Sequence, residues 1–222
     1  MQRASNRAQI RCSLGGSLLN YDTISGRSLE RLSALSDGVF SIAMTLLVLD
    51  LKVPAAEALH TNRDLLHALG SLAPRLLTYG MSFLTLGIFW LGQQAQLGQF
   101  RQSDRRLTWI HIAFLLMVAV MPFSTALLSE FIVLPLAVMC YWLNLFLLGC
   151  ALFASIRYAV AAGLLEQGAD APPVSIHERR ILIFQGLYLL AALVSWANTY
   201  VSIFALILLQ LVSIFMATGK RA

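Results

Sequence analysis

Long apolar runs separated by short polar segments dominate the chain. Six of these runs are close to the length of a membrane-spanning helix, which needs about 20 mostly apolar residues. They cover Leu32–Leu51, Leu72–Leu91, Leu107–Leu128, Phe131–Ile156, Ile181–Ala197 and Val201–Thr218. The pattern predicts an all-α, polytopic membrane protein with six transmembrane helices per subunit.

The segments outside these runs are short. Residues 1–27 are rich in Arg, Ser and Gly and have no sustained apolar stretch, so we predict that they form a flexible cytoplasmic tail. Residues 28–219 then form a single six-helix transmembrane domain. Pro54 ends the first run, because proline does not continue a helix comfortably. We predict a short interfacial helix over Asp64–Ala73, before the second span.

Composition supports lipid as the main solvent of this chain. Hydrophobic residues make up 58% of it and charged residues only 12%, whereas a soluble domain has about 45–50% and about 25%. There is no soluble basic domain that would bind nucleic acid. The sequence has no nucleophile elbow, P-loop or dinucleotide fingerprint, and its histidines lack metal-ligand spacing. We therefore expect no enzyme activity, no cofactor and no resident metal.

The basic residues indicate the topology. With six spans, thirteen of them lie on the side of the N-terminal tail and three on the other. Because cytoplasmic loops carry the excess of Lys and Arg, both termini are predicted to be cytoplasmic in a multi-pass protein of the cell membrane. The thirteen are Arg3, Arg7, Arg11, Arg27, Arg31, Arg101, Arg105, Arg106, Arg157, Arg179, Arg180, Lys220 and Arg221, against Lys52, Arg63 and Arg75.

The first span is the only one with a distinctive polar pattern. Asp37 lies inside it, and an ionisable group there is costly unless it is paired or hydrated. At about 100° per residue, Gly38, Ile42, Thr45 and Leu49 share one narrow stripe of the helix. Ser33, Asp37, Ser41 and Thr45 follow beside it at four-residue spacing.

This stripe has two interpretations. Small and hydroxyl residues at this spacing let transmembrane helices pack closely. Around a symmetry axis, however, each apolar residue forms a ring that can constrict a pore, and each hydroxyl can replace part of an ion's hydration shell. The pattern alone favours neither interpretation. A buried Asp37 paired with a neighbouring arginine would also be compatible with a purely structural role.

A longer motif in this helix is specific. Arg31-x-x-x-Leu35-Ser36-Asp37-Gly38-Val39-Phe40-Ser41-Ile42-Ala43-Met44-Thr45-Leu46-Leu47-Val48-Leu49 resembles the signature of the bacterial transmembrane-protein-175 potassium channels. That signature is approximately R-x-x-x-F-S-D-G-V-F-A-I-A-I-T-L-L-V-L. Further similarity lies in Phe89-Trp90, in Leu107-Thr-Trp-Ile and in Met121-Pro122-Phe123-Ser124-Thr125. By motif the resemblance covers roughly residues 27–130.

The resemblance implies a function and site residues. Family members are tetramers of six-helix subunits whose first helix lines the pore, without a carbonyl-type filter. Ile42 matches the hydrophobic constriction, Leu49 a further apolar layer and Thr45 the residue credited with selectivity. Gly38, Ser41 and Leu46 are additional candidates for pore lining. Arg31, Ser36 and Asp37 match a polar triplet that supports the pore helix from behind.

The sequence departs from this pattern at several positions. Leu35 replaces the signature phenylalanine, Gln93 and Gln94 stand where histidine is usual, and His111 stands where asparagine is usual. The last three changes put the supporting polar network in doubt. Asp50 points about 100° away from Ile42 on an ideal helix, so we interpret it as a solvated helix end.

The function expected from these observations is passive, potassium-selective conduction. Its partners are K+ as the permeant ion, the lipid bilayer and further copies of the same chain, most simply as a tetramer. Two other functions remain open. A secondary transporter is less favoured because such folds show paired, interrupted helices, and only one special helix is evident here. A non-conducting membrane scaffold would use the stripe only for packing.

Overall fold

A computed structural model describes residues 29–54, 60–165 and 174–218. Within these ranges the chain is helical, with one isolated bridge between Phe100 and Leu165. The helices are α1 (Leu29–Asp50, whose last turn Leu47–Asp50 is 3-10), α2 (Asn62–Ser71), α3 (Ala73–Leu97), α4 (Arg105–Glu130), α5 (Pro135–Ala161), α6 (Val174–Leu193, followed by the 3-10 turn Val194–Trp196) and α7 (Thr199–Thr218).

The predicted all-helical membrane fold is confirmed. In the described ranges, five helices are long and apolar enough to cross a membrane: α1, α3, α4, α5 and the α6 segment Glu178–Trp196. In α7 the apolar segment Thr199–Ile214 is shorter, so a sixth crossing stays a prediction. The predicted tail of residues 1–27 lies outside the described residues.

Several predicted boundaries needed correction. The fourth span was predicted over Phe131–Ile156, but α5 runs over Pro135–Ala161. The fifth was predicted to begin at Ile181, but α6 begins at Val174.

The second span was expected to end at Leu91, but α3 continues to Leu97. Its last turns contain Gln93 and Gln96, which are polar in sequence yet buried in the bundle. Hydropathy alone placed the end of the span too early, because it assigns amide side chains to water. The helix predicted over Asp64–Ala73 corresponds to α2, which begins earlier, at Asn62, and ends at Ser71.

Local sequence explains where the helices begin. Asp104 caps α4, where its side chain accepts a hydrogen bond from the backbone N–H of Leu107 at 2.8 Å. Thr61 and Asp64 form a reciprocal capping box at the start of α2. Pro74 and Pro135 occupy the first turns of α3 and α5, where a missing backbone donor costs nothing.

The bundle is organised around the α4–α5 hairpin. The helices α3, α6 and α7 pack on this hairpin, and α1 lies against α3 and α4. One large apolar cluster includes Phe40 of α1, Phe114 of α4 and Tyr141 of α5. As a result, α1 is held from one side only within a single subunit.

Candidate functional site

The two faces of α1 differ sharply in burial. Its buried face carries Leu32, Ser36, Phe40, Ala43 and Leu47, each at most 5% exposed. The ring of Phe40 packs on that of Phe114 with centroids 5.9 Å apart. This packing fixes the rotation of α1 about its own axis, and therefore which residues point away from the bundle.

The opposite face is the stripe singled out in the sequence. Ile42 is 60% exposed and Leu49 is 70% exposed. Gly38, Ser41, Thr45 and Leu46 are exposed as well. The Thr45 hydroxyl donates to the Ile42 carbonyl at 2.8 Å. Since that bond uses the hydroxyl hydrogen, the lone pairs of the oxygen stay available on the open side of the helix.

Asp37 joins α1 to the end of α3. Its Oδ1 atom accepts one hydrogen bond from the indole Nε1 of Trp90 at 2.8 Å and another from the Gln94 amide at 2.7 Å. Gln94 also accepts a bond from the Ser33 hydroxyl at 3.2 Å. Two side-chain donors of α3 therefore meet at one oxygen of Asp37 and attach α1 to the end of α3.

Ser36 makes a second attachment one residue earlier. The Gln93 amide donates to its hydroxyl oxygen at 2.7 Å, and that hydroxyl donates to the Leu32 carbonyl at 2.9 Å. Both Gln93 and Ser36 are fully buried. The two glutamines that depart from the family pattern, Gln93 and Gln94, therefore both bond to α1 directly.

Some partners escaped the sequence analysis. Trp90 was named only as part of the Phe89-Trp90 pair, without a partner, yet its indole bonds Asp37. The available signal was its position one helical turn before Gln94, which puts both donors on the same side of α3. Arg31 was grouped with Ser36 and Asp37, but among the described residues it makes no hydrogen bond or ion pair, and its side chain is exposed.

The interpretation of Asp50 as a solvated helix end was incomplete. Its Oδ2 atom accepts a hydrogen bond from the Ser129 hydroxyl at 2.5 Å, and Asp50 is only partly exposed. This contact ties the far end of α1 to the last turn of α4. Hydropathy gives no information about this partner, because Ser129 lies 79 residues away from Asp50 in the sequence.

Comparisons with known proteins agree with this architecture. Residues 31–122 match the family model described as the endosomal/lysosomal potassium channel TMEM175. A potassium channel from Chamaesiphon minutus is 32% identical over 177 residues, which is 78% of this chain and 87% of that protein. A potassium channel from Streptomyces collinus is 41% identical over 102 residues, 46% of this chain and about half (48%) of that protein.

More distant matches extend the comparison. The human endosomal/lysosomal proton channel TMEM175 is 30% identical over 119 residues, which span only 24% of its length. The crystal structure of a lysosomal potassium-selective channel TMEM175 homolog from Chamaesiphon minutus superposes with a TM-score of 0.73 at 24% identity. That superposition covers 86% of this chain and 99% of the other, so it shows a shared fold.

The shared fold, the family motif on α1 and the near full-length similarity to the Chamaesiphon minutus protein support one assignment. The chain belongs to the TMEM175 family of ion channels.

Proposed function

We propose that this chain forms a potassium-selective channel in which the first helix of each of four identical subunits lines a central pore. Residues 28–219 would be the channel domain, placed in the cell membrane with both termini cytoplasmic. The bacterial relatives are named potassium channels, which supports K+ as the permeant ion.

The observation that carries this proposal is the asymmetry of α1. One face is buried and bonded through Ser36 and Asp37, while Ile42, Thr45 and Leu49 face away from their own subunit. If the stripe were a packing seam within the subunit, these three side chains would be covered. One stripe encloses no path, but several copies around an axis do, which is the physical reason for an oligomer.

The stripe has the chemistry that conduction requires. Rings of Ile42 and Leu49 would form a narrow apolar constriction that controls wetting of the pore. Thr45 lies between them, and its hydroxyl oxygen can face a partly dehydrated cation because its hydrogen is bonded to Ile42. Ser41 and Gly38 would continue the polar and open part of the path toward the cytoplasmic end.

A flux assay tests the function. Purified protein in liposomes should carry K+ faster than Na+ down a gradient, and proton flux should be measured in the same vesicles because the vertebrate relatives are named proton channels. The Thr45→Val variant removes the hydroxyl at nearly constant volume and should lower the ratio of K+ to Na+ flux. Phe123→Leu, at an exposed position on α4, is the matched control and should leave that ratio unchanged.

The two alternatives predict different outcomes. Saturable flux that needs a coupling ion would indicate a secondary transporter. Absence of any ion flux, together with monomers or dimers in detergent, would indicate a scaffold. Four subunits with α1 on the symmetry axis would support the channel, whereas four subunits with α1 facing lipid would contradict it.

A further inference from the structure

Arg31 lies on the same side of α1 as the exposed stripe. Its position precedes that of Ile42 by 11 residues, and at about 100° per residue this is about three turns plus 20°. With about 1.5 Å of rise per residue, the two residues are about 16 Å apart along the helix axis. Leu35, which is 50% exposed, and Gly38 lie between them on the same side. The stripe therefore begins with a guanidinium group, at the end of α1 that is predicted to be cytoplasmic.

Apolar packing fixes the rotation of α1 at this end. Leu32 is 5% exposed and belongs to a second apolar cluster with Leu97 and Phe100, and Leu29 packs on the same cluster. At about 100° per residue, Arg31 lies about 160° around the helix from Leu29 and about 100° from Leu32. Since both leucines face the bundle, the Arg31 side chain leaves α1 on the side that faces away from its own subunit.

The charge of Arg31 is not compensated within the described part of the chain. Its side chain is exposed and makes no ion pair or hydrogen bond there, and an arginine is always charged in proteins. Glu30 and Asp37 are the acidic residues of this half of α1, and they lie about 100° and about 120° around the helix from Arg31. The Asp37 carboxylate bonds Trp90 and Gln94 instead. Each subunit therefore presents one free cation on its stripe.

We propose that the Arg31 side chains of the assembled subunits form a cationic ring at the cytoplasmic mouth of the pore, and that this ring makes K+ conduction asymmetric. The inference rests on the channel proposed above, in which α1 lines a central path. Rings of charged side chains select which ions approach a pore. A cationic ring lowers the K+ concentration at its own mouth and not at the outer mouth. Under equal and opposite driving forces, K+ should therefore enter the cytoplasm more readily than it leaves.

This role differs from the one that the family motif implied. The motif grouped Arg31 with Ser36 and Asp37 as support for the pore helix from behind. Ser36 and Asp37 do bond α3, but Arg31 lies about 20° from Ile42 around the helix. Its position on the stripe places it toward the path of the ion, where its charge acts directly.

Single-channel recording in planar bilayers tests the ring. The Debye length is about 10 Å in 0.1 M salt and about 3 Å in 1 M salt, so an exposed ring acts at low salt and is screened at high salt. In KCl at about 0.1 M, we expect the outward K+ current of the wild type to be about twofold smaller than the inward current. Arg31→Gln should abolish this difference, and both proteins should conduct symmetrically in KCl at about 1 M.

Arg105→Gln is the matched control for Arg31→Gln. Arg105 is also exposed and is predicted to lie on the same side of the membrane, but it belongs to the first turn of α4, outside the stripe. Its replacement removes the same charge from each subunit and should leave the asymmetry of the current as in the wild type. Arg31→Lys, which keeps the charge, should do the same.

Chemical modification separates the charge at position 31 from the shape of the side chain. In a background with the native cysteines replaced, Arg31→Cys is modified with a methanethiosulfonate reagent that carries an ammonium group, or with one of similar size that carries a sulfonate. We expect the ammonium adduct to restore the wild-type asymmetry and the sulfonate adduct to reverse it. Because the reagents are membrane-impermeant, the side from which they react identifies the cytoplasmic mouth.

The outcomes distinguish the ring from the channel. Equal asymmetry in wild type and Arg31→Gln at low salt, or equal effects of the two reagents, would overturn the ring and leave the channel in place. A change in Arg31→Gln that persists at high salt would show that Arg31 acts through packing, and it would overturn the ring as well. Absence of K+ conduction in the wild type would contradict the channel proposed above, and the ring with it.

Discussion

The indole Nε1 of Trp90 donates a hydrogen bond to Asp37 Oδ1 at 2.8 Å, across 53 positions of sequence. This contact joins the family motif of α1 to the tryptophan of the Phe89-Trp90 pair on α3. Asp37 is exposed in the subunit and pairs with no arginine in the described part of the chain, so the buried, arginine-paired alternative is wrong; two side-chain donors from α3 bond one of its oxygens instead.

Removing this attachment should destabilise the subunit. Asp37→Ala deletes two exposed side-chain hydrogen bonds, and we expect it to lower the free energy of unfolding by about 0.5–1.5 kcal/mol. Trp90→Phe keeps the aromatic ring and deletes one donor, so its effect should be smaller. Thermal unfolding in detergent measures both. Trp109→Phe is the control, because Trp109 is exposed and has no such bond in the described structure. Equal stability of all three variants would mean that Asp37 contributes no net attachment.

Thiol labelling distinguishes a pore face from a lipid face. In a background with the native cysteines replaced, Thr45→Cys should react with a small, charged, membrane-impermeant thiol reagent, because a pore supplies water to position 45. Phe123→Cys is also exposed on the subunit, but it lies on α4 outside the α1 stripe, where we expect lipid, and it should stay unmodified. The measurement is the labelled fraction by mass spectrometry. Labelling of Phe123→Cys with none of Thr45→Cys would reverse the assignment of the two faces.

Position 149 requires a glycine, because the Gln185 side chain occupies the space that a Cβ atom would need. A Cβ atom added at Gly149 would lie 1.5 Å from Gln185 Nε2, and that amide donates to the Leu145 carbonyl at 3.2 Å. Gly149→Ala must therefore displace the Gln185 side chain and break its bond. We expect a loss of about 1–2 kcal/mol of stability, as for other cases of overpacking.

The facing helix provides the matched control for Gly149. A Cβ atom at Gly186 would meet nothing within 4 Å. Gly186→Ala should be neutral or stabilising by up to about 1 kcal/mol, because alanine is the better helix former. The two variants are compared by thermal unfolding in the same detergent. A stability loss in Gly186→Ala as large as in Gly149→Ala would contradict this explanation.

A buried polar network links α3, α5 and α7. Gln210 donates to the Thr85 hydroxyl at 2.6 Å, and that hydroxyl lies 3.1 Å from the Tyr141 hydroxyl. In a double-mutant cycle, Gln210→Leu and Thr85→Val should show a coupling energy of about 0.6–1.7 kcal/mol, the range for hydrogen bonds between transmembrane helices. Strict additivity of the two losses would show that this bond contributes nothing.

Asp104, the N-cap of α4, should make the stability of the fold depend on pH in the acid range. Although partial burial raises the pKa of Asp104, hydrogen bonds from Tyr158 and from the Leu107 backbone outweigh it and lower the pKa below the ordinary value. A carboxylate with a lowered folded-state pKa stabilises the fold above its unfolded-state pKa of about 3.9, and this stability is lost as the pH falls through the lower value.

Asp104→Ser isolates this contribution, because serine still caps the helix but does not titrate. The difference in stability between wild type and variant should shrink as the pH falls from about 5 to about 2. Chemical unfolding across this range measures it. A difference that is constant with pH would show that ionised Asp104 is not the stabilising form.

The apolar runs by themselves determined the helical membrane fold, because any segment in hydrocarbon must satisfy its backbone hydrogen bonds internally. The motif on α1 likewise identified the family and the polar residues of the first helix. Only tertiary structure decided which partners those residues take. Gln93, Gln94 and Trp90 bond α1, and Ser129 bonds Asp50, because packing brings together residues 50 to 80 positions apart. Hydropathy and helical periodicity describe each helix alone, so they give no information about which side of α3 or α4 meets α1.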